Sequence, residues 1–304
     1  MSISSITAKY PSAIWYDSNH SGSGSGTLAD PYNDLDVAIA ASDTNAKVIA
    51  IKDGSHTVSQ IGGNGASSTF SFAGIANKLS LVGESTDAVL NFAGTDFGTV
   101  INFRGLSTGA IHLETLKVFQ NHNGNNYAAI FGANDSASTI TVEGCIIELG
   151  ALTLANANNY GLIRGASTEV TTLTITDSVI LSGSNVNVST NYGVITTNSS
   201  SIGFHTFDCQ RNTIINVAGK AHRLVADGSF GTSSTYKNNI FVGLNANTEL
   251  LGFTPTVSGG NCFHDTGISS GNGGVVFADP QFVDSANGDY RLRPSSPCIN
   301  AGTA

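Results

Sequence analysis

Charge is the first thing this chain lacks. Of its 304 residues, 13 are Lys or Arg and 22 are Asp or Glu, 12% together, about half the share of an ordinary soluble domain. Ser, Thr and Asn fill the polar positions instead. The net charge of −9 excludes the basic footprint that neutralises a phosphate backbone, so no nucleic-acid partner is expected. No apolar run approaches the roughly 18 residues of a membrane helix, so no membrane partner is expected either. One Met and six Pro stand against 35 Gly, which argues against long helices. Met1 to Thr7 lack the basic start and apolar core of a secretory signal. Either a signal has been removed from this sequence or the protein leaves the cell another way, for example by lysis; the expected location is a virion or the extracellular space.

What is present is repetition. Asn126, Tyr127, Ile130 and Phe131 return about 33 residues later as Asn159, Tyr160, Ile163 and Arg164. They return again about 32 further on as Asn191, Tyr192, Ile195 and Thr196. A period near 30 residues means one structural unit stacked on copies of itself. A second series shares the period. It runs through Leu79–Gly83, Ile111–Val118, Ile140–Ile147, Leu173–Ile180, Thr206–Ile215 and Thr235–Val242, with a worn copy at Val257–Phe263. Each copy reads as an alternating strand, a polar corner of one or two residues, and a second apolar strand.

Two series on one period place at least three short strands in each turn. The expected fold is all-β: a single-stranded right-handed parallel β-helix of about eight or nine coils, roughly 40 Å long at ~4.8 Å per coil. Residues 1–46 read as a lead-in, a Gly/Ser loop and a capping helix, and residues 47–304 as the β-helix with its closing segment, in one structural domain. The one helix expected spans Asn33–Ser42. Asn33 is its cap, Asp36 sits in its first turn, and Leu35, Ala38 and Ile39 share a face. Such a helix suits a lid over the open end of a stack.

Aligning the copies puts Glu114, Gly144, Asp177, Asn212, Asn238 and Asn261 in one corner column. Thr115, Cys145, Ser178, Thr213, Asn239 and Cys262 fall in the next. Asn, Asp and Gly accept sharp turns, and stacked Asn amides can hydrogen-bond along the axis. In this alignment Cys145 and Cys262 lie four coils apart, about 19 Å at ~4.8 Å per coil, and Cys209 about two coils from each. Disulfides among these three are excluded, since a bridge needs Cα atoms within about 7 Å. Cys298 has no assigned place. The cysteines read as small ladder or core residues, and their spacing fits no zinc motif.

The two ends carry a resemblance. Phe277-Ala-Asp279-Pro280-Gln-Phe282-Val-Asp284, then Gly288-Asp289-Tyr290-Arg291-Leu292, then Ser296-Pro297-Cys298-Ile299-Asn300-Ala-Gly302 resembles the closing motif of bacterial β-helix proteins of the pectate-lyase-like superfamily. Trp15-Tyr16-Asp17, the Gly/Ser loop and the helix after it resemble their start. The superfamily includes polysaccharide lyases and hydrolases, adhesins and phage tailspikes, so the resemblance speaks for fold more than for function. It also implies a homotrimer.

Candidate chemistry is sparse. A lyase of that superfamily would use calcium held by carboxylates on neighbouring coils and an Arg or Lys base, and a hydrolase two or three converging acids. No triplet of acids falls on adjacent coils in one column, so no cofactor is expected, and calcium lacks a supporting acid cluster. The best basic cluster is Lys220, His222 and Arg223 with Asp227 nearby, the weak catalytic candidates. Tyr127, Tyr160 and Tyr192, with Arg164 and Asn191, form the ligand-binding candidates, because a stack of aromatic faces offers a platform for sugar rings. The same Tyr residues also read as a structural stack, and Ile130, Ile163 and Ile195 as core. The function expected is that of a non-catalytic virion or extracellular β-helix protein: a tailspike, fibre or capsid-surface component whose partners are a glycan or other virion or surface proteins. The alternative is a polysaccharide lyase or glycoside hydrolase.

Overall fold

A computed structural model describes residues 2–41, 47–58, 78–94, 99–102, 109–122, 127–133, 138–149, 159–165, 170–182, 193–196, 203–216, 223–225, 229–244, 257–266 and 273–303. These residues form a parallel β-solenoid with three faces. The first face stacks nine strands: Ile14–Tyr16, Lys47–Ile51, Lys78–Gly83, Gly109–Glu114, Ser138–Glu143, Val170–Thr176, Gly203–Gln210, Ser229–Lys237 and Val257–Gly259. The second face, just past the corner, also stacks nine, from Gly54–Val58 to Gly274–Val276. The third stacks five, from Thr99–Asn102 to Arg223–Val225. Every neighbouring pair in these stacks is parallel.

Strand periodicity builds the core. In the first face Ile49, Leu81, Leu113, Val142, Ile175, Cys209 and Tyr236 stand in one column. All are buried, and they face the second-face column Leu90, Val118, Ile147, Ile180, Ile214, Phe241 and Phe263. Each fully buried aliphatic rung contributes roughly 1.5–3 kcal/mol. Towards the C-terminal end the rungs turn aromatic. Tyr236, Phe241, Phe263 and Phe277 stack in series with centroids 5.2, 5.3 and 5.9 Å apart.

The corner columns differ from the expected alignment by one residue in three copies. Glu114 is the last strand residue, and Asn212 and Asn261 lie one step further on. The column at the turn is Thr115, Gly144, Asp177, Arg211, Asn238 and Gly260, all with positive φ between 51° and 66°. The next column, pointing inward, is Leu116, Cys145, Ser178, Asn212, Asn239 and Asn261. Thr213 and Cys262 already belong to second-face strands, so Cys145 and Cys262 share no column. Residue type misleads because the outer position must hold left-handed backbone, and Thr115 and Arg211 do so without looking like turn formers.

The inward column carries the expected amide ladder. Asn212 Oδ1 accepts from the Ser178 N–H at 3.0 Å. Asn239 Oδ1 accepts from the Asn212 N–H at 3.0 Å and from its amide at 3.1 Å. Asn261 Oδ1 accepts from the Asn239 N–H at 2.9 Å and from its amide at 3.2 Å. The same amides donate to the carbonyls of Ile175, Cys209 and Tyr236. Buried polar groups that the tight corner would orphan are thereby paired.

The N-terminal end is closed by a helix. The capping helix, α2, spans Leu35–Ala41 and buries Leu35, Ala38 and Ile39 in the main core. Its cap is Asp34 rather than Asn33: Asp34 Oδ1 accepts from the N–H groups of Asp36 and Val37 at 2.8 and 3.1 Å. A second helix, α1, spans Ile3–Lys9, where the sequence reads only as a lead-in. After the last coil, Phe282–Asp284 and Asp289–Leu292 form an antiparallel hairpin, and Phe282 and Tyr290 line a cavity with Ile215, Val242 and His264 of the second face. Beyond it, Asn238 and Thr303 exchange hydrogen bonds at 3.0 and 2.8 Å.

Candidate functional site

The outer surface of the first face is the candidate. Its column Trp15, Ala50, Val82, Glu114, Glu143, Thr176, Gln210, Lys237 changes character partway along. The first three rungs are buried although they point away from the core, because Ile6 of α1 packs on them. Where the helix ends, the column becomes polar. Lys9 Nζ lies 2.6 Å from Glu114 Oε1, and the Tyr10 hydroxyl donates to Glu114 Oε2 at 2.5 Å. Burial pushes the Glu114 carboxyl up, but the hydrogen bonds from Lys9 and Tyr10 outweigh it and hold the group below its ordinary range.

Beside this clasp sits His112, 6% exposed, with neither ring nitrogen hydrogen-bonded. Its Nε2 is 3.5 Å from Glu143 Oε2 and 3.9 Å from Glu114 Oε2. Burial, then the charge of Lys78, pushes its pKa down, so the ring is held neutral. Glu114 and Glu143 are thus direct partners on neighbouring strands. The sequence alignment separated them by pairing Glu114 with Gly144. The signal that could have joined them is the strict alternation of Ile111/Leu113 and Ile140/Val142, which sets the register two residues before each corner.

Beyond Glu143 the face is open. Thr139, Thr172, Thr206 and Ser233 form one outward column, Thr141, Thr174, Asp208 and Thr235 a second, and Glu143, Thr176, Gln210 and Lys237 a third. Rungs recur at ~4.8 Å between strands and columns at ~6.7 Å along them. All twelve side chains are at least partly exposed, and Gln210 donates to Asp208 at 2.6 Å. The array is uncharged over most of its area and rich in groups that both donate and accept. At its corner edge Arg211 makes a bidentate pair with Asp177, both bonds 2.7 Å.

The residues singled out from sequence lie elsewhere. Lys220, His222, Asp227, Asn191 and Tyr192 fall outside the described residues. Tyr127, Tyr160, Arg164 and Arg223 belong to third-face strands, and their side chains fall outside the described set. The backbone register is informative all the same. Tyr127 pairs with Asn159, Tyr160 with Ala128, and Ile163 with Phe131, so Tyr127 and Tyr160 stand one residue out of column. On that strand Leu162 is buried; the side chains of Ile130, Ile163 and Ile195, read from sequence as core, fall outside the described set. Among the described residues no group of three or more His, Cys, Asp or Glu is arranged to hold a metal ion. The chain matches no known family model, no curated protein and no solved structure.

Proposed function

We propose that this protein is a non-catalytic β-solenoid of a virion or extracellular surface, a rigid rod that binds a glycan on the open part of its first face. One observation supports the reading: three in-register columns of hydroxyl, amide and charged groups on an open parallel sheet. An extended sugar chain offers hydroxyls on the same length scale as the rungs, and each Thr or Gln can answer as donor or acceptor. Placement within the pectate-lyase-like superfamily, as a tailspike, fibre or capsid-surface component, belongs to the same proposal and rests on the closing motif. So does assembly as a homotrimer. The alternative, a lyase or hydrolase, draws on the Glu114–His112–Glu143 neighbourhood and on Lys220, His222, Arg223 and Asp227. Glu114 suits it poorly as a general acid, because Lys9 and Tyr10 occupy both its oxygens and favour its ionised form;.

The test is a glycan panel read for both binding and cleavage. Binding should fall at least tenfold in Thr174→Val with Asp208→Ala, with the melting temperature unchanged. Unchanged binding in that variant, together with loss in Arg164→Ala, would move the site to the third face. Release of reducing or unsaturated sugars, abolished by Arg223→Ala or Asp227→Ala, would replace the binding reading with the enzymatic one.

A further inference from the structure

We propose that the cavity between the closing hairpin and the second face is a second carbohydrate site, separate from the first face, that takes a single neutral sugar ring. On the second face, Leu181, Ile215, Val242 and His264 form a column that points away from the core. Ile215 is buried all the same, 8% exposed, because the closing segment folds back over it. The two do not meet flush. They enclose about 410 Å³, within the roughly 300–1,000 Å³ of small-molecule sites.

The lining is two-sided. Ile215, Val242 and the buried Pro280 supply apolar surface, and Ser296 Oγ ties the Pro280 carbonyl down at 2.6 Å. Phe282 and Tyr290 add aromatic surface, their rings packed edge to face at 88° with centroids 5.5 Å apart. His264, Asp279 and Ser285 bring polar groups to the same space. Asp279 Oδ1 accepts from the Gln281 N–H at 2.8 Å, which fixes the carboxylate. Burial, then the charge of Glu148, pushes the Tyr290 phenol up, so it keeps its proton as a donor;. A sugar ring has the matching halves. Its C–H face suits the aliphatic and aromatic surface, and its hydroxyls can donate to the carboxylate and pair with imidazole and phenol. A wholly apolar ring would strip water from those polar groups without pairing them. An acidic sugar would bring a second carboxylate towards Asp279.

The test titrates the full chain with glucose, galactose, mannose, glucuronate and cyclohexanol, read by saturation-transfer NMR. At least one neutral sugar should bind, in the millimolar range expected of so small a ligand, with saturation strongest at its ring C–H protons. Ala286→Trp places a large side chain at the exposed rim and should abolish binding. Tyr290→Phe keeps the aromatic wall, removes one donor, and should weaken binding about two- to tenfold. The first-face variant, Thr174→Val with Asp208→Ala, should bind these monosaccharides as the parent does, which separates this site from the glycan face. The proposal is overturned if no neutral sugar binds, if glucuronate binds as well, or if cyclohexanol binds in their place. It is equally overturned if Ala286→Trp and Tyr290→Phe both bind like the parent, or if the first-face variant abolishes binding.

Discussion

Asn238 and Asn239 are adjacent, both asparagine, and should answer mutation very differently. Asn239 is fully buried. Replacing it with Ala orphans the Asn212 N–H, which donates to Asn239 Oδ1 at 3.0 Å, and the Cys209 carbonyl, which accepts from Asn239 Nδ2 at 2.9 Å. Each buried backbone group left unpaired costs about 1–3 kcal/mol, so the loss should be about 2–6 kcal/mol. Water entering the vacated amide volume would bring it towards the lower figure. Asn238 is the turn residue at φ 58°, and among the described residues its side chain bonds to Thr303 at the surface. Asn238→Gly keeps that backbone without strain and should cost about 1 kcal/mol or less. Urea titrations read at constant m report the difference directly. An Asn239→Ala loss below about 0.5 kcal/mol, or equal losses at the two sites, would refute the ladder as a source of stability.

Acidification should release α1. Glu114 titrates below its unfolded value, so its contribution is present above about pH 4.3 and disappears as pH falls through the folded pKa;. His112, also depressed, opposes folding in the same direction once pH drops below about 6.5;. The single tryptophan, Trp15, is buried beneath α1, so its emission should shift red on acidification, and sooner in Lys9→Ala; a shift independent of Lys9 would count against the clasp. Gln120 is wholly buried between Phe92 and Leu149 in its column, with both amide atoms unpaired, so Gln120→Met should raise stability by about 1–3 kcal/mol in the same urea assay. Arg211→Ala, which breaks an exposed bidentate pair, should cost no more than about 1 kcal/mol, and that small cost should shrink further in high salt.

The stacking, the period and the amide ladder were legible because they are carried by alternation and by repeats, which a parallel coil must obey. Exact columns were less so. Two polar residues can meet at a corner, and only the backbone decides which takes the left-handed position, as Arg211 and Asn212 illustrate. The lid α1 hid for another reason. Seven residues of ISSITAK carry little amphipathic pattern, and the evidence for a cover lies in Trp15, Ala50 and Val82, outward positions that are apolar over three coils and far apart in sequence. The His112–Glu143 neighbourhood was missed through the same one-residue misalignment at Glu114. The Tyr motif caught the eye as a repeat, yet its period of 33 residues meets a strand register of 32, so Tyr127 and Tyr160 part company.

In a solenoid each coil touches only the next, so a pull at one end would ordinarily peel strands one at a time. Here Lys9 and Tyr10 grip Glu114 across more than 100 residues of sequence, skipping the first three strands of the face. Tension entering at the N-terminal side therefore reaches the fourth rung before it strains the first. Thr303 on Asn238 does the same at the far end. The rod is built like a rope with whipped ends, and under load it should part in its middle coils before it frays from either tip.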